Sequence, residues 1–133
     1  MTKEIKRIET EKAPKAIGPY SQGVSVKAER FIFVSGQLPL DPKSGELVNG
    51  DIRVLTNRVL DNIEAVLQAS GSSFSDVVRV DIFLKDLKKD FPAMNEEYAK
   101  RFTGGTLPAR QTVQVSDLPK GATVEISCIA VAK

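Results

Sequence analysis

The sequence predicts an α+β domain in which two helices pack on one face of a mixed β-sheet. Its 133 residues fit a single domain that spans 1–133. Apolar residues recur at helical spacing in two segments and alternate with polar residues in the others. In chain order these segments give β-β-β-α-β-α-β-β, a pattern typical of one sheet with both helices on the same side.

The first three strands are expected at about 4–10, 23–27 and 31–34. The loop between the first two contains two prolines, whose fixed backbone angles make it stiff. A turn at 28–30 is expected to join the second and third strands as a hairpin.

The first helix is expected from about Ile52 to Ser70, between an N-cap at Asp51 and a stop at Gly71. Its apolar face consists of Ile52, Leu55, Val59, Ile63, Val66 and Leu67. A strand follows at 77–84. The residues expected on its core side are Val78, Val80, Ile82 and Leu84.

The second helix is expected from about Phe91 to Thr103, with Asp90 as its cap and Pro92 in its first turn. Its apolar stripe consists of Phe91, Met94, Tyr98 and Phe102. Two further strands, at about 110–115 and 123–132, end the chain.

The final strand also predicts an oligomer. Alternation places two sets of residues on its opposite faces, Ile126, Cys128, Ala130 and Ala132 against Ser127, Ile129 and Val131. Both faces are largely apolar at the end of the strand, so we expect both to be covered. Two helices can cover only one face, and the second face therefore needs another subunit of a homo-oligomer.

Composition excludes several classes of function. The net charge of +2, from 19 basic and 17 acidic side chains, gives no electrostatic reason to expect nucleic-acid or membrane binding. The chain has no histidine, which excludes a Ser-His-Asp triad and a histidine-ligated metal. A single cysteine and a charged amino terminus favour a reducing, cytoplasmic location. We expect no metal and no cofactor.

Arg110 is the first candidate for a functional residue. It begins a strand directly after Pro108, so its side chain projects from a fixed backbone. A guanidinium binds a carboxylate through two parallel hydrogen bonds. The alternative is a surface arginine in a salt bridge. Alternation places Thr112 on the same face of the strand as Arg110.

Glu125 is the second candidate, because it lies within an otherwise apolar strand. A carboxylate there must find a cation or line a cavity, and it can act as a general base. The alternative is a buried ion pair with Arg79 or Arg110.

Weaker candidates are Tyr20 at the end of the stiff loop, Ser35 and Gly36 at a strand end, and Asn95 on the second helix. The alternative interpretations are a packing aromatic, a strand bulge and a solvated helix position, respectively. Cys128 is interpreted as a core residue, since it alternates with Glu125.

Linked motifs in this chain resemble the Rid family, formerly called YjgF, over nearly the whole sequence. The motifs are AIGPYSQG at 16–23, VSGQ at 34–37, PAR at 108–110, LPKG at 118–121 and VEI at 124–126. The resemblance implies a chorismate-mutase-like α+β fold. It also implies a homotrimer whose sheets form a central barrel, with ligand clefts between neighbouring subunits.

The resemblance further implies hydrolysis of reactive 2-imino acids, the 2-iminobutanoate/2-iminopropanoate deaminase activity of the RidA subgroup. Arg110 takes the place of the carboxylate-binding arginine, and Glu125 that of the water-positioning glutamate. The other implied substrate contacts are Tyr20, Ser35, Gly36 and Asn95.

The chain departs from the family pattern at three positions. Thr112 stands where some members have a cysteine, Gln111 where a small residue is frequent, and Ser127 where many have a second acid. A thiol-dependent mechanism is therefore not expected, and Thr112 is a hydroxyl-bearing wall of the cleft. Two other functions stay open: a non-catalytic trimer that binds small carboxylates, and RNA cleavage or translation inhibition.

Overall fold

Within residues 3–133, which the computed structural model describes, six strands and two helices follow one another in the predicted order. Met1 and Thr2, part of the charged amino-terminal segment, lie outside the described residues. The strands are β1 (Glu4–Ile8), β2 (Gly23–Lys27), β3 (Arg30–Gln37), β4 (Val77–Leu84), β5 (Ala109–Gln114) and β6 (Val124–Ala132), and the helices are α1 (Ile52–Ala69) and α2 (Leu87–Arg101). No helix in this range has the length and apolar composition that a membrane crossing requires.

The strands form two sheets rather than one. The larger sheet has the order β3-β6-β4-β5 and is mixed, because β4 and β5 are parallel while the other neighbours are antiparallel. β2 pairs with β1 as a separate antiparallel sheet, so the expected β2–β3 hairpin was wrong. No residue of β1 or β2 is fully buried, and these strands therefore bring no core face to the larger sheet.

Both helices pack on one face of the four-stranded sheet, as predicted. The sheet contributes Val34, Val77, Val80, Ile82, Leu84, Val124, Ile126, Cys128 and Ala130 to the core. The helices contribute Val59, Leu60, Ile63, Leu67, Met94 and Tyr98, and Phe102 at the C-cap of α2 joins them. The interpretation of Cys128 as a core residue is confirmed, and burial raises the pKa of its thiol to about 12.

The predicted limits of α1 are confirmed, but its buried face was partly wrong. The Asp51 carboxylate accepts from the backbone N–H groups of Arg53 and Val54, and the helix ends before Gly71, whose φ is 76°. Leu60 is fully buried, whereas Val66 is 39% exposed. The buried face of α1 consists of positions 56, 59, 60, 63 and 67. Position 66 lies at the edge of this face and is therefore partly exposed.

The core face of β4 differs from simple alternation at its start. Val77 is fully buried, while Val78 is partly exposed, contrary to prediction. The register with β6 shifts between Val77 and Arg79, so a β-bulge inserts one residue and reverses the alternation before Val80.

α2 begins one turn earlier than predicted. Its N-cap is Asp86, whose carboxylate accepts from the N–H of Lys89, and not Asp90. Pro92 consequently lies inside the helix, although Pro lacks the N–H that a helix interior uses. The apolar stripe indicates only which part of α2 is buried. The first turn of the helix is mostly polar and precedes the stripe, so the stripe does not show where the helix begins.

The opposite face of the sheet, which we call the outer face, remains partly open. Phe33 is 74% exposed and Phe31 is 48% exposed. Phe33 pairs with Ile129 of β6, which is only half-buried, whereas Val131 is fully buried within its own chain. The end of β6 therefore needs no partner subunit, and the exposed apolar surface lies on β3.

Candidate functional site

Arg110 lies on the helix-bearing face of the sheet. It pairs with Val80 of the core, and its side chain extends beneath α2. One guanidinium nitrogen, Nη1, donates to the Oδ1 atom of Asn95 at 2.7 Å. The guanidinium carbon is 4.9 Å from the ring centroid of Tyr98, 5.6 Å from that of Tyr20 and 6.0 Å from that of Phe91. We call these five residues, Arg110, Asn95, Tyr98, Tyr20 and Phe91, the arginine cage.

The cation of the arginine cage has no anionic partner. Within residues 3–133 no carboxylate lies within 4 Å of Arg110, so the predicted alternative of a salt bridge is not formed. Burial lowers the pKa of the guanidinium, and electrostatic interactions with Tyr98 and Tyr20 oppose part of that shift. A half-buried guanidinium with free N–H groups is suited to bind a small anion.

The Tyr20 loop is fastened to the segment that leads into β5. The backbone N–H of Ser21 donates to the carbonyl oxygen of Pro108 at 3.1 Å, and its hydroxyl donates to that of Leu107 at 2.5 Å. A Cβ on Gly18 would lie 3.7 Å from Nη2 of Arg110, so the loop backbone lies against the guanidinium. The loop thus closes one side of the arginine cage.

Thr112 extends the same face by two residues along β5. Its hydroxyl oxygen is buried and has no hydrogen-bond partner within the described chain. The side chain borders an open pocket of about 370 Å³, whose other lining residues are Leu87, Lys88, Phe91 and Pro92. Because Phe91 belongs to both, the pocket adjoins the arginine cage.

Glu125 lies on the outer face, opposite Arg110. Glu125 pairs with Phe83 of β4, whereas Arg110 pairs with Val80 of the same strand. Because adjacent side chains alternate between faces from Val80 to Phe83, Arg110 and Glu125 point to opposite faces of the sheet. An ion pair between Glu125 and Arg110 is therefore not formed within one chain. The second alternative is absent too, since Arg79 donates to Asp81 at 2.9 Å.

Ser35 and Gly36 form a bulge beside Glu125. The register between β3 and β6 shifts between Val34 and Gln37, which leaves Ser35 and Gly36 opposite a single residue. The alternative interpretation of a strand bulge is confirmed here. A Cβ on Gly36 would lie 2.7 Å from Oε2 of Glu125, so only glycine lets the carboxylate rest on the backbone. We call Ser35, Gly36 and Glu125 the glutamate patch.

The predicted site residues thus fall into two groups in one chain. Asn95 and Tyr20 contact Arg110, and Asn95 is a half-buried acceptor rather than a solvated residue. Ser35 and Gly36 lie with Glu125 on the other face of the sheet. The fold does not join the two groups within one chain.

Sequence reasoning missed three residues that shape the arginine cage. Phe91 and Tyr98 were interpreted only as core residues, and Gly18 was not singled out. The spacing of 91, 95 and 98 was a usable signal, because i, i+4 and i+7 lie on one side of a helix. Phe91, Asn95 and Tyr98 lie on one side of α2, and all three contact Arg110.

Comparison with known proteins places these residues in a family context. The family model described as Endoribonuclease L-PSP matches residues 10–132. A RutC family protein of Pyrococcus abyssi is 53% identical over 98% of this chain and 98% of its own length. The 2-iminobutanoate/2-iminopropanoate deaminase of Mus musculus is 48% identical over 95% of this chain and 90% of its own length. The crystal structure of E. coli TdcF with bound serine is 41% identical, covers 96% of this chain and 99% of that one, and has a TM-score of 0.73.

Proposed function

The chain belongs to the Endoribonuclease L-PSP family, the family called Rid or YjgF above, and we propose that it hydrolyses reactive 2-imino acids to 2-oxo acids and ammonia. The observation that supports this most directly is the half-buried guanidinium of Arg110 in the arginine cage, which forms no ion pair within residues 3–133. Every 2-imino acid carries a carboxylate next to its C=N carbon. A fixed guanidinium can therefore hold the reacting carbon at a defined place.

Arg110 is proposed to bind that carboxylate. Only one of its five N–H groups is used by Asn95, and the guanidinium fork remains available for a bidentate contact. Tyr20 lies beside the guanidinium, and Thr112 lies two residues further along the same face of β5. Both are proposed to contact the rest of the substrate. The crystal structure of E. coli TdcF with bound serine supports a small carboxylate ligand for this fold.

Glu125 is proposed to reach the substrate from a neighbouring subunit. Arg110 and Glu125 point to opposite faces of one sheet, so a single chain cannot bring them together. The exposed phenylalanines of β3 give the outer face an apolar surface that a second copy can cover. A homotrimer with three clefts between subunits is proposed on this basis.

In the proposed reaction, Glu125 orients a water molecule and accepts one of its protons while the oxygen attacks C2 of the imino acid. The C=N bond becomes a C–N single bond, and the nitrogen takes up the proton that Glu125 accepted, which gives a carbinolamine and restores the carboxylate. The C–N bond then breaks, the hydroxyl proton passes to the departing nitrogen, and ammonia leaves as the C=O bond of the 2-oxo acid forms. The backbone of Ser35 and Gly36 is proposed to line the approach of the water. The imine carbon is already electrophilic, so positioning and one proton relay suffice.

Ammonia release from 2-iminopropanoate or 2-iminobutanoate tests the proposal. The imine is generated in the assay by an amino-acid oxidase, and the spontaneous hydrolysis is subtracted. We expect the wild-type chain to accelerate hydrolysis and Arg110→Ala to show no acceleration while its oligomeric state is unchanged. Wild-type rates in that variant would exclude Arg110 as the carboxylate clamp and remove the main support for the function.

RNA cleavage is a second candidate, because the family is described as Endoribonuclease L-PSP. The near-neutral charge and the absence of histidine weigh against efficient acid–base cleavage of RNA. A nuclease assay with the same variants separates this function from deamination.

A chain that binds 2-oxo acids and has neither activity would be a carboxylate-binding module. A cytoplasmic location remains a prediction from composition.

A further inference from the structure

Tyr98 is the best-supported side chain around the guanidinium of Arg110. It is fully buried, and its ring is the nearest of the three in the arginine cage, at 4.9 Å. Phe102 stacks on it with centroids 4.2 Å apart and planes 18° apart. Phe74 meets Phe102 edge-on at 4.9 Å. The ring of Tyr98 is therefore held in a rigid aromatic stack.

We infer that Tyr98 is the positioning residue for Arg110, and that its ring rather than its hydroxyl performs this role. The inference rests on the proposed function only in taking Arg110 as the group that binds the substrate carboxylate. No other residue of the arginine cage combines full burial with contact to the guanidinium.

The argument begins with the cost of burying a cation. A guanidinium that loses water needs compensation, and a carboxylate is the usual partner. A carboxylate would also occupy the N–H groups that a substrate needs. A ring face attracts the cation through its quadrupole and accepts no strong hydrogen bond. Tyr98 can thus stabilise the charged side chain in one orientation and leave its donors free for the ligand.

The hydroxyl of Tyr98 does not contribute to this effect. It is buried and has no hydrogen-bond partner among residues 3–133. A buried polar group without a partner destabilises a fold. We therefore expect Tyr98→Phe to melt at the same or a higher temperature than the wild type and to keep the interaction with Arg110.

Equilibrium binding of 2-oxobutanoate, measured by calorimetry, tests the inference. Tyr98→Leu should raise the dissociation constant about tenfold or more, because a desolvated cation–π contact is lost. Tyr98→Phe should bind like the wild type. Phe102→Leu is the matched control, since it removes a ring from the same stack but leaves the ring that contacts Arg110, and it should weaken binding less than Tyr98→Leu. Equal weakening in Phe102→Leu and Tyr98→Leu, or weak binding by Tyr98→Phe, would overturn the inference.

A measurement on folded protein covers the case in which Tyr98→Leu does not fold. The Nε–H signal of Arg110, identified by its loss in Arg110→Lys, should keep its ring-current shift in Tyr98→Phe and also in Tyr20→Leu and Phe91→Leu, which remove the other two rings near the guanidinium. A signal without that shift would contradict the inference. The two proposals fail separately. Wild-type protein that binds 2-oxobutanoate without hydrolysing imines refutes the deaminase proposal alone, and unchanged binding by a folded Tyr98→Leu refutes this one alone.

Discussion

The arginine cage and the glutamate patch lie on opposite faces of one sheet and differ in how they are built. The guanidinium of Arg110 is enclosed by rings from the helix face and held by Asn95. The carboxylate of Glu125 rests on a backbone bulge at the outer face, and no hydrogen bond or ion pair to it is found in the described part of the chain. The arginine cage is formed within one chain, while the glutamate patch leaves a carboxylate available to a partner that covers the outer face. This difference is the basis of the proposal that binding and proton transfer are divided between subunits.

The largest expected effect separates these two roles by kinetics. Glu125→Gln should lower kcat by roughly a hundredfold to ten-thousandfold with little change in KM, because it removes a general base and leaves the carboxylate clamp intact. Arg110→Lys should instead raise KM, since an ammonium lacks the bidentate fork. Steady-state rates of ammonia release with increasing imine concentration measure both parameters.

Asp81→Asn is the matched control for Glu125→Gln. Asp81 is another carboxylate on the outer face, but it is occupied by Arg79. Its variant should keep nearly wild-type kcat. A similar loss of kcat in both variants would mean that the negative charge of the outer face affects the rate and that the position of Glu125 does not.

A subunit-mixing experiment tests directly whether one site takes residues from two chains. Arg110→Ala and Glu125→Gln should each be inactive alone. If the site forms between subunits of a trimer, co-expression in equal amounts should restore about one quarter of wild-type activity, because half of the chains supply each intact residue. No recovery in mixed oligomers would refute a site that takes Arg110 and Glu125 from two different chains.

Mixing the double variant with wild-type chains gives an independent check on the same point. Equal amounts should leave about one quarter of the sites intact if two chains share each site, and about one half if each chain is complete. Mass spectrometry of the intact oligomers verifies that the chains have exchanged.

Substitution of Gly36 should have a smaller effect, confined to the glutamate patch. An alanine Cβ would lie 2.7 Å from Oε2 of Glu125, so the carboxylate must move. Since the displaced atoms end a flexible side chain, we expect about a tenfold loss of kcat with little change in melting temperature. Gly104→Ala is the control, because its Cβ would meet nothing within 4 Å. A large fall in the melting temperature of Gly36→Ala would instead show a structural role for the bulge.

Periodicity predicted the order of elements because burial on one face leaves a regular signal in α1, β4 and α2. It failed where a local backbone event changes the signal. The bulge after Val77 reverses alternation, and the cap at Asp86 lies outside the apolar stripe. Pairing of β2 with β1 was also missed, since weakly patterned, exposed strands do not encode their partner.

The site was predictable residue by residue but not as an arrangement. Arg110 stood out because it begins a strand directly after Pro108, and Glu125 because it is a charge in an apolar strand; the family resemblance implied their roles. Their placement on opposite faces depends on how β4, β5 and β6 pair, which no local pattern reports. The aromatic contacts of Tyr98 depend on the packing of α2 over β5, and the sequence showed only that its ring is apolar.

The smallest expected effect concerns how the arginine cage is anchored. Its residues Phe91, Asn95 and Tyr98 lie on α2, which is tied to α1 through the nearly buried carboxylate of Glu97. That carboxylate accepts hydrogen bonds from Asn57, Lys100 and Arg53. These donors lower the pKa of Glu97 from 4.5 to about 2. No residue of the glutamate patch lies on either helix.

Because the pKa of Glu97 is lower in the folded chain than in the unfolded one, its ionised form stabilises the fold above pH 4.5. This contribution should fall as the pH drops from there towards 2. Glu97→Gln should therefore melt below the wild type at neutral pH, and the difference should shrink steadily in acid. Glu96→Gln, which removes an exposed contact with Arg53, should differ little from wild type at any pH. A gap between wild type and Glu97→Gln that stays constant down to pH 2 would show that the ionised carboxylate does not hold α2 in place. The arginine cage would then depend on apolar packing alone.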